Sequence, residues 1–205
     1  MLRVTNILLT MLVAAFVTSC AGMGGAPEAS TIDGIRVAPV VKITDKVYYN
    51  GPENNWGFAI GGLIGAAIAS QAISEPERIK LYMESEHIDL PAIVRNQYLE
   101  ALQRSPQFAG KIRDDAKNQI ELEIQMYGIA QKGAFSSQYK PVLRVKARLY
   151  NAEGKVVWEK VDFVANLNGT TPGYAYKELF EAKGAMENAF TVAAHETVQS
   201  LVPSP

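Results

Sequence analysis

Hydrophobic and polar positions change their period three times along this chain. Ile35-Arg-Val-Ala-Pro-Val-Val-Lys-Ile43 is β-branched and partly alternating, which predicts a first strand. Pro39 inside it implies an edge position or a bulge, because proline donates nothing to a ladder. From Asp89 the period becomes helical. Leu90, Ile93, Val94, Tyr98, Ala101 and Leu102 fall on one face, Asp89 is placed to cap, Pro91 is tolerated in the first turn, and Ser105-Pro106 ends the run. The period then drops to two. Ile120, Leu122, Ile124 and Met126 alternate with polar residues, and Leu143, Val145, Ala147 and Leu149 alternate with Arg144, Lys146 and Arg148. Asn151-Ala-Glu-Gly154 reads as a hairpin turn into a strand over 155–165. Finally Leu179, Ala182, Met186, Ala189, Phe190, Ala193, Thr197 and Leu201 share the inner face of one long helix expected over 176–202.

These elements predict an α+β domain. The sheet is small and mainly antiparallel, with about four strands and two helices on one face. The order is strand-helix-strand-strand-strand-helix.

One stretch breaks the pattern. Residues 56–73, Trp-Gly-Phe-Ala-Ile-Gly-Gly-Leu-Ile-Gly-Ala-Ala-Ile-Ala-Ser-Gln-Ala-Ile, carry no charge. Gly57, Gly61, Gly65 and then Ala69 recur every fourth residue, which on a helix makes one smooth stripe that lets backbones approach closely. Each glycine costs a helix about 1 kcal/mol relative to alanine, so the repetition needs a packing reason. The stretch resembles the glycine-zipper segments of small bacterial envelope proteins. Three settings fit it: a membrane, with Trp56 at the interface; a partner or second copy of the chain; or the domain's own core. Turn chemistry at 50–55 precedes it and a polar, charged run from Ser74 to Asp89 follows, so residues 50–84 read as a Gly-rich helical insertion after the first strand.

The amino terminus adds location. Arg3 precedes an apolar run over 7–17 that is too short to cross a bilayer and ends in Val17-Thr-Ser-Cys20. This resembles the lipobox of bacterial lipoproteins. The resemblance implies a signal peptide over 1–19, lipid on Cys20, and, because Ala21 and not aspartate follows, an outer-membrane anchor with the domain facing the periplasm. Residues 20–34, rich in Gly, Ala, Ser and Pro, read as a flexible tether. Residues 35–205 are then a single domain.

Composition narrows the chemistry. A formal net charge of −1 leaves no basic surface for nucleic acid. Cys20 is the one cysteine, so neither a disulfide within the chain nor a thiolate site can form. His87 and His195 are not spaced as metal ligands, Asp114-Asp115 reads as a solvated turn, and Ser136-Ser137 lacks the context of a nucleophile elbow. No cofactor and no metal are expected, and no enzyme. Tyr174 and Tyr176 sit in a turn-rich loop region and are the aromatics expected to contact a partner, unless they pack under their own loop.

The domain also resembles a group of periplasmic lipoprotein domains: those of the curli-secretion pore protein, the outer-membrane activators of peptidoglycan synthases, and auxiliary lipoproteins of envelope transporters. The shared features are Val37-Ala-Pro-Val40, the helix end Ala-Leu-Gln-Arg-Ser-Pro-Gln-Phe over 101–108, and Leu-Tyr-Asn-Ala-Glu-Gly-Lys-Val-Val-Trp over 149–158. The expected function is a lipid-anchored, non-catalytic component of an outer-membrane assembly, with secretion or transport among its settings. It would meet an envelope protein or its own copies through the zipper. The alternative is a periplasmic binding module for lipid or peptidoglycan with the zipper buried.

Overall fold

The structure, a computed structural model, describes residues 32–52, 73–133, 135–164 and 171–203. The described residues form a mixed α+β fold. The backbone of the domain is a pair of long strands, β4 (Asn118–Gln131) and β5 (Gln138–Tyr150), joined in an antiparallel ladder. Strand β6 (Val156–Val164) adds on the far side of β5, also antiparallel. Asn151 shapes the turn between them: its side-chain oxygen accepts from the backbone N–H of Glu153 at 3.2 Å and of Lys155 at 2.9 Å.

The expectation of about four strands is corrected: among the described residues the sheet has seven. The first strand is longer than expected and broken into β1 (Ile35–Val37), β2 (Lys42–Ile43) and β3 (Val47–Asn50), all parallel to β4 along one edge. Pro39 lies in the first break, where its missing N–H costs the ladder nothing. A further short strand, β7 (Tyr174–Ala175), pairs with the start of β5, in line with β6.

The alternation in β4 also departs from expectation. A bulge between Ile124 and Met126 shifts the register. An extra residue inverts the facing of everything beyond it. Tyr127 and Ile129 therefore join Ile120, Leu122 and Ile124 in the core, and Met126 does not. The next residue but one, Gly128, has φ +152, and a Cβ there would lie 1.8 Å from the Tyr48 carbonyl oxygen. Glycine is what allows β3 to lie so close.

Four helices, where two were expected, are present among the described residues. Helix α1 (Glu75–Ser85) overlaps the end of the 50–84 range assigned to the insertion. It starts with Pro76 in its first turn and buries Ile79, Tyr82 and Met83. Helix α2 (Leu90–Arg104) is capped by Asp89, whose carboxylate accepts from Ala92 N–H at 2.9 Å. The single carboxy-terminal helix expected over 176–202 is two: α3 (Tyr176–Glu181) and α4 (Ala185–Ser200). Gly184, at φ +74, ends the interruption, and Ala182 is exposed, outside the core it was expected to join. Helix α4 packs on β5 and β6 and against α2. Tyr98 of α2 is fully buried and donates its hydroxyl to the Leu201 carbonyl at 3.1 Å, tying the middle of α2 to the carboxy-terminal end of α4. Phe108, Phe190, Leu102 and Leu143 fill the space between the helices and the sheet without exposure.

Candidate functional site

The chain meets the two ends of the sheet in turn. Because β1 to β3 run parallel to β4, the chain enters at one end, where Ile35 faces Asn118, and leaves at the other, where Asn50 faces Ala130. At a rise of about 3.3 Å per residue the two ends are about 40 Å apart. The uncharged stretch 56–73 departs just after Asn50 and returns just before α1. Its two roots meet on one cluster of aromatic and charged side chains, which is the candidate site.

The cluster is built from four elements. Tyr49 of β3 donates its hydroxyl to the Pro52 carbonyl at 2.6 Å, fixing the outgoing root. Its ring stacks on Tyr139 of β5 with centroids 6.2 Å apart, and the two hydroxyls are 3.4 Å apart. Tyr139 meets Tyr176 of α3 edge-on at 5.2 Å, Tyr176 lies 4.8 Å from Phe180, and Phe180 meets Tyr82 of α1 at 5.0 Å. Such tilted and edge-on pairs are the favoured geometry for ring quadrupoles. Gly51 fits between them because a Cβ would come within 2.7 Å of the Tyr139 ring and 2.8 Å of the Tyr49 hydroxyl.

The returning root is fixed by charge. Glu75, the first residue of α1, is 8% exposed and accepts a hydrogen bond from the Tyr176 hydroxyl. The Arg78 guanidinium lies 3.7 Å from the same carboxylate oxygen. A buried carboxylate is costly unless it is both paired and hydrogen-bonded, and here it is both. Burial, and then the bond to Glu75, push the Tyr176 phenol far above the ordinary tyrosine range. Tyr176 therefore stays a donor at any physiological pH. The arrangement holds the two roots of the stretch together.

Tyr174 and Tyr176, the two aromatics expected on a recognition surface, are each 9% exposed. Tyr176 supports the root from inside, and Tyr174 continues the same wall from β7. Glu75, Arg78 and Tyr49 were not singled out in the sequence, and Tyr139, expected with Phe135 on a loop as a recognition aromatic, lies in β5 and is 3% exposed. The available signal was the pair of flanks: Tyr-Asn-Gly-Pro ahead of the uncharged stretch and Ser-Glu-Pro-Glu-Arg behind it. Cys20 and the zipper positions Trp56, Gly57, Gly61, Gly65 and Ala69 lie outside the described residues, as does the leader.

Other candidates resolve simply. His195 Nδ1 lies 3.0 Å from the Gln97 side-chain oxygen, a contact between α4 and α2. Asp115 is 3.7 Å from Arg113 on the surface. Among the described residues no group of three or more His, Cys, Asp or Glu is placed to hold a metal ion, and no helix is long and apolar enough to cross a membrane. A shallow cavity of about 130 Å³ between α1 and the start of α4 is lined by Tyr82, Ile88 and Met186 together with Glu86, Lys183 and Glu187.

No sequence-family model matches the chain, and no curated protein matches it. Similar solved structures include protein XCC0632 from Xanthomonas campestris, at 16% identity over 55% of this chain and 59% of that one, with a TM-score of 0.39. The chain thus spans little more than half the length of that protein. They also include a PelC dodecamer from Paraburkholderia phytofirmans, at 12% identity over 87% and 92% of the two chains, with a TM-score of 0.35. Lipoprotein GNA1162 from Neisseria meningitidis is similar at 15% identity over 67% and 87%, with a TM-score of 0.25. Likenesses of this size leave function to be argued from the chain's own geometry.

Proposed function

We propose that this chain is a lipid-anchored, non-catalytic component of an outer-membrane assembly, held by lipid on Cys20 and making its second contact through residues 56–73. The observation that carries this reading is the separation of the two ends of the sheet. The tether joins the domain beside Asn118, and the uncharged stretch is rooted beside Ala130, about 40 Å away.

The tether is short for that distance. The twelve residue steps from Cys20 to Ile32 span at most about 42 Å when fully stretched, and about 19 Å as a flexible coil. A relaxed tether keeps the Asn118 end within reach of the lipid and leaves the zipper roots at the opposite end of the sheet, where copies of the chain or an envelope partner can meet them. The root cluster is the mechanical counterpart: it transmits load from the stretch into β3, β5, α1 and α3 together, without relying on one strand.

The test is the mass of the full chain in mild detergent, with and without residues 56–73, in a background with Cys20 replaced. A defined higher oligomer that is lost on deletion, with the remaining domain folded by circular dichroism, is the expected result. If the intact protein forms no higher oligomer and the deletion unfolds the domain, the stretch is core and the proposal is wrong.

A further inference from the structure

The two edges of the sheet are treated differently. The β1–β3 edge is interrupted twice and carries Pro39, the usual protection against strand addition. The β6 edge is a nine-residue strand without proline, and no described strand pairs with its outer side. Val156, Val161 and Phe163 on it are 42%, 37% and 41% exposed. Charged residues in its middle, Glu159, Lys160 and Asp162, would ordinarily repel a second strand.

Those charges are self-complementary in one alignment. Two copies of β6 paired antiparallel about a two-fold axis place residues of equal parity opposite each other, since facing side chains share a side of the sheet. An axis through residue 159, 160 or 162 sets Glu159, Lys160 or Asp162 against its own copy. An axis through Val161 sets Lys160 of each copy against Asp162 of the other, Trp158 against Val164, and Val161 against itself. On the other face Glu159 then meets Phe163 of the second copy while keeping Lys146 at 2.9 Å and Arg148 at 2.7 Å within its own chain. Asp162 is pre-positioned, because its carboxylate accepts a hydrogen bond from the Ser200 hydroxyl of α4.

We propose that the β6 edge pairs with β6 of a second copy in the register centred on Val161, joining two sheets into one. This contact goes beyond the proposed zipper contact and lies on a different part of the domain, so either can fail alone.

Two experiments on the full chain in mild detergent test it, both with Cys20→Ala so that the only thiol is the introduced one. Val161→Cys gives a disulfide-linked dimer on oxidation, while Val156→Cys, which faces no copy of itself in this register, does not. Lys160→Asp and Asp162→Lys each weaken dimerisation about tenfold, since each dimer contains the pair twice. The double exchange, which restores both pairs, recovers it. Because these variants keep residues 56–73, loss of the dimer leaves any zipper-dependent oligomer in place. Equal cross-linking at 156 and 161, no cross-link at 161, or a double exchange no better than the single ones would each overturn the proposal.

Discussion

Replacing Tyr176 by Phe deletes one hydroxyl from the centre of the root cluster and leaves the ring. The hydroxyl donates to Glu75, a carboxylate only 8% exposed. A hydrogen bond to a charged group contributes about 1.5–3 kcal/mol, and its removal here takes from a buried carboxylate the donor that supports it beside Arg78. The expected loss is therefore about 2 kcal/mol. For a domain of this size that is a fall in Tm of about 6 °C. Urea unfolding followed by far-ultraviolet circular dichroism reads the same quantity as a lower midpoint at unchanged slope. Glu75→Leu provides the control, because in that background the hydroxyl has lost its acceptor and Tyr176→Phe should cost almost nothing further. A cost below about 0.5 kcal/mol for Tyr176→Phe alone, or the same cost in both backgrounds, would refute the claim that Glu75 and Tyr176 act as a unit.

Gly128→Ala drives a methyl group into the Tyr48 carbonyl at 1.8 Å on a backbone with φ +152; we expect loss of the β3–β4 pairing, read as fast amide exchange across 47–50 and about 3 kcal/mol of stability or more. Gly184→Ala meets no neighbouring atom but keeps φ +74, so it costs about 1 kcal/mol, measured by the same urea curves. Hydrogen bonds from Lys146 and then Arg148 hold the Glu159 carboxyl below the usual carboxylate range. Its contribution is present above the unfolded-state value near 4 and is lost as pH falls through the lower folded value. Glu159→Gln should flatten stability against pH in that acid window only, and by under about 1 kcal/mol because the group is well exposed.

The elements that could be read from the chain are those whose periodicity is set by one-sided burial. Leu143, Val145, Ala147 and Leu149 alternate because one face of β5 is core, and all four are fully buried. Asp89 announced its helix because capping chemistry is local. The bulge at Ile124–Met126 could not be read, since Met126 is apolar enough to continue the alternation that the backbone breaks. Helix α1 was missed because Glu75, Glu77, Arg78, Lys80, Glu84 and Glu86 dominate the segment, and its apolar face is only Ile79, Tyr82 and Met83. The root cluster was invisible for a different reason. Glu75 and Tyr176 are 101 residues apart, and nothing local in either sequence says that one accepts from the other.

Holding both roots of residues 56–73 on one cluster has a consequence for the segment itself. Once the ends of a loop are fixed side by side, its length matters little to the rest of the fold, because doubling a loop costs only about 0.6 kcal/mol in closure entropy. The segment is then a replaceable cartridge in a fixed socket. It can change in length or sequence without disturbing the domain, while Tyr49, Gly51, Glu75, Tyr139 and Tyr176 form the socket itself.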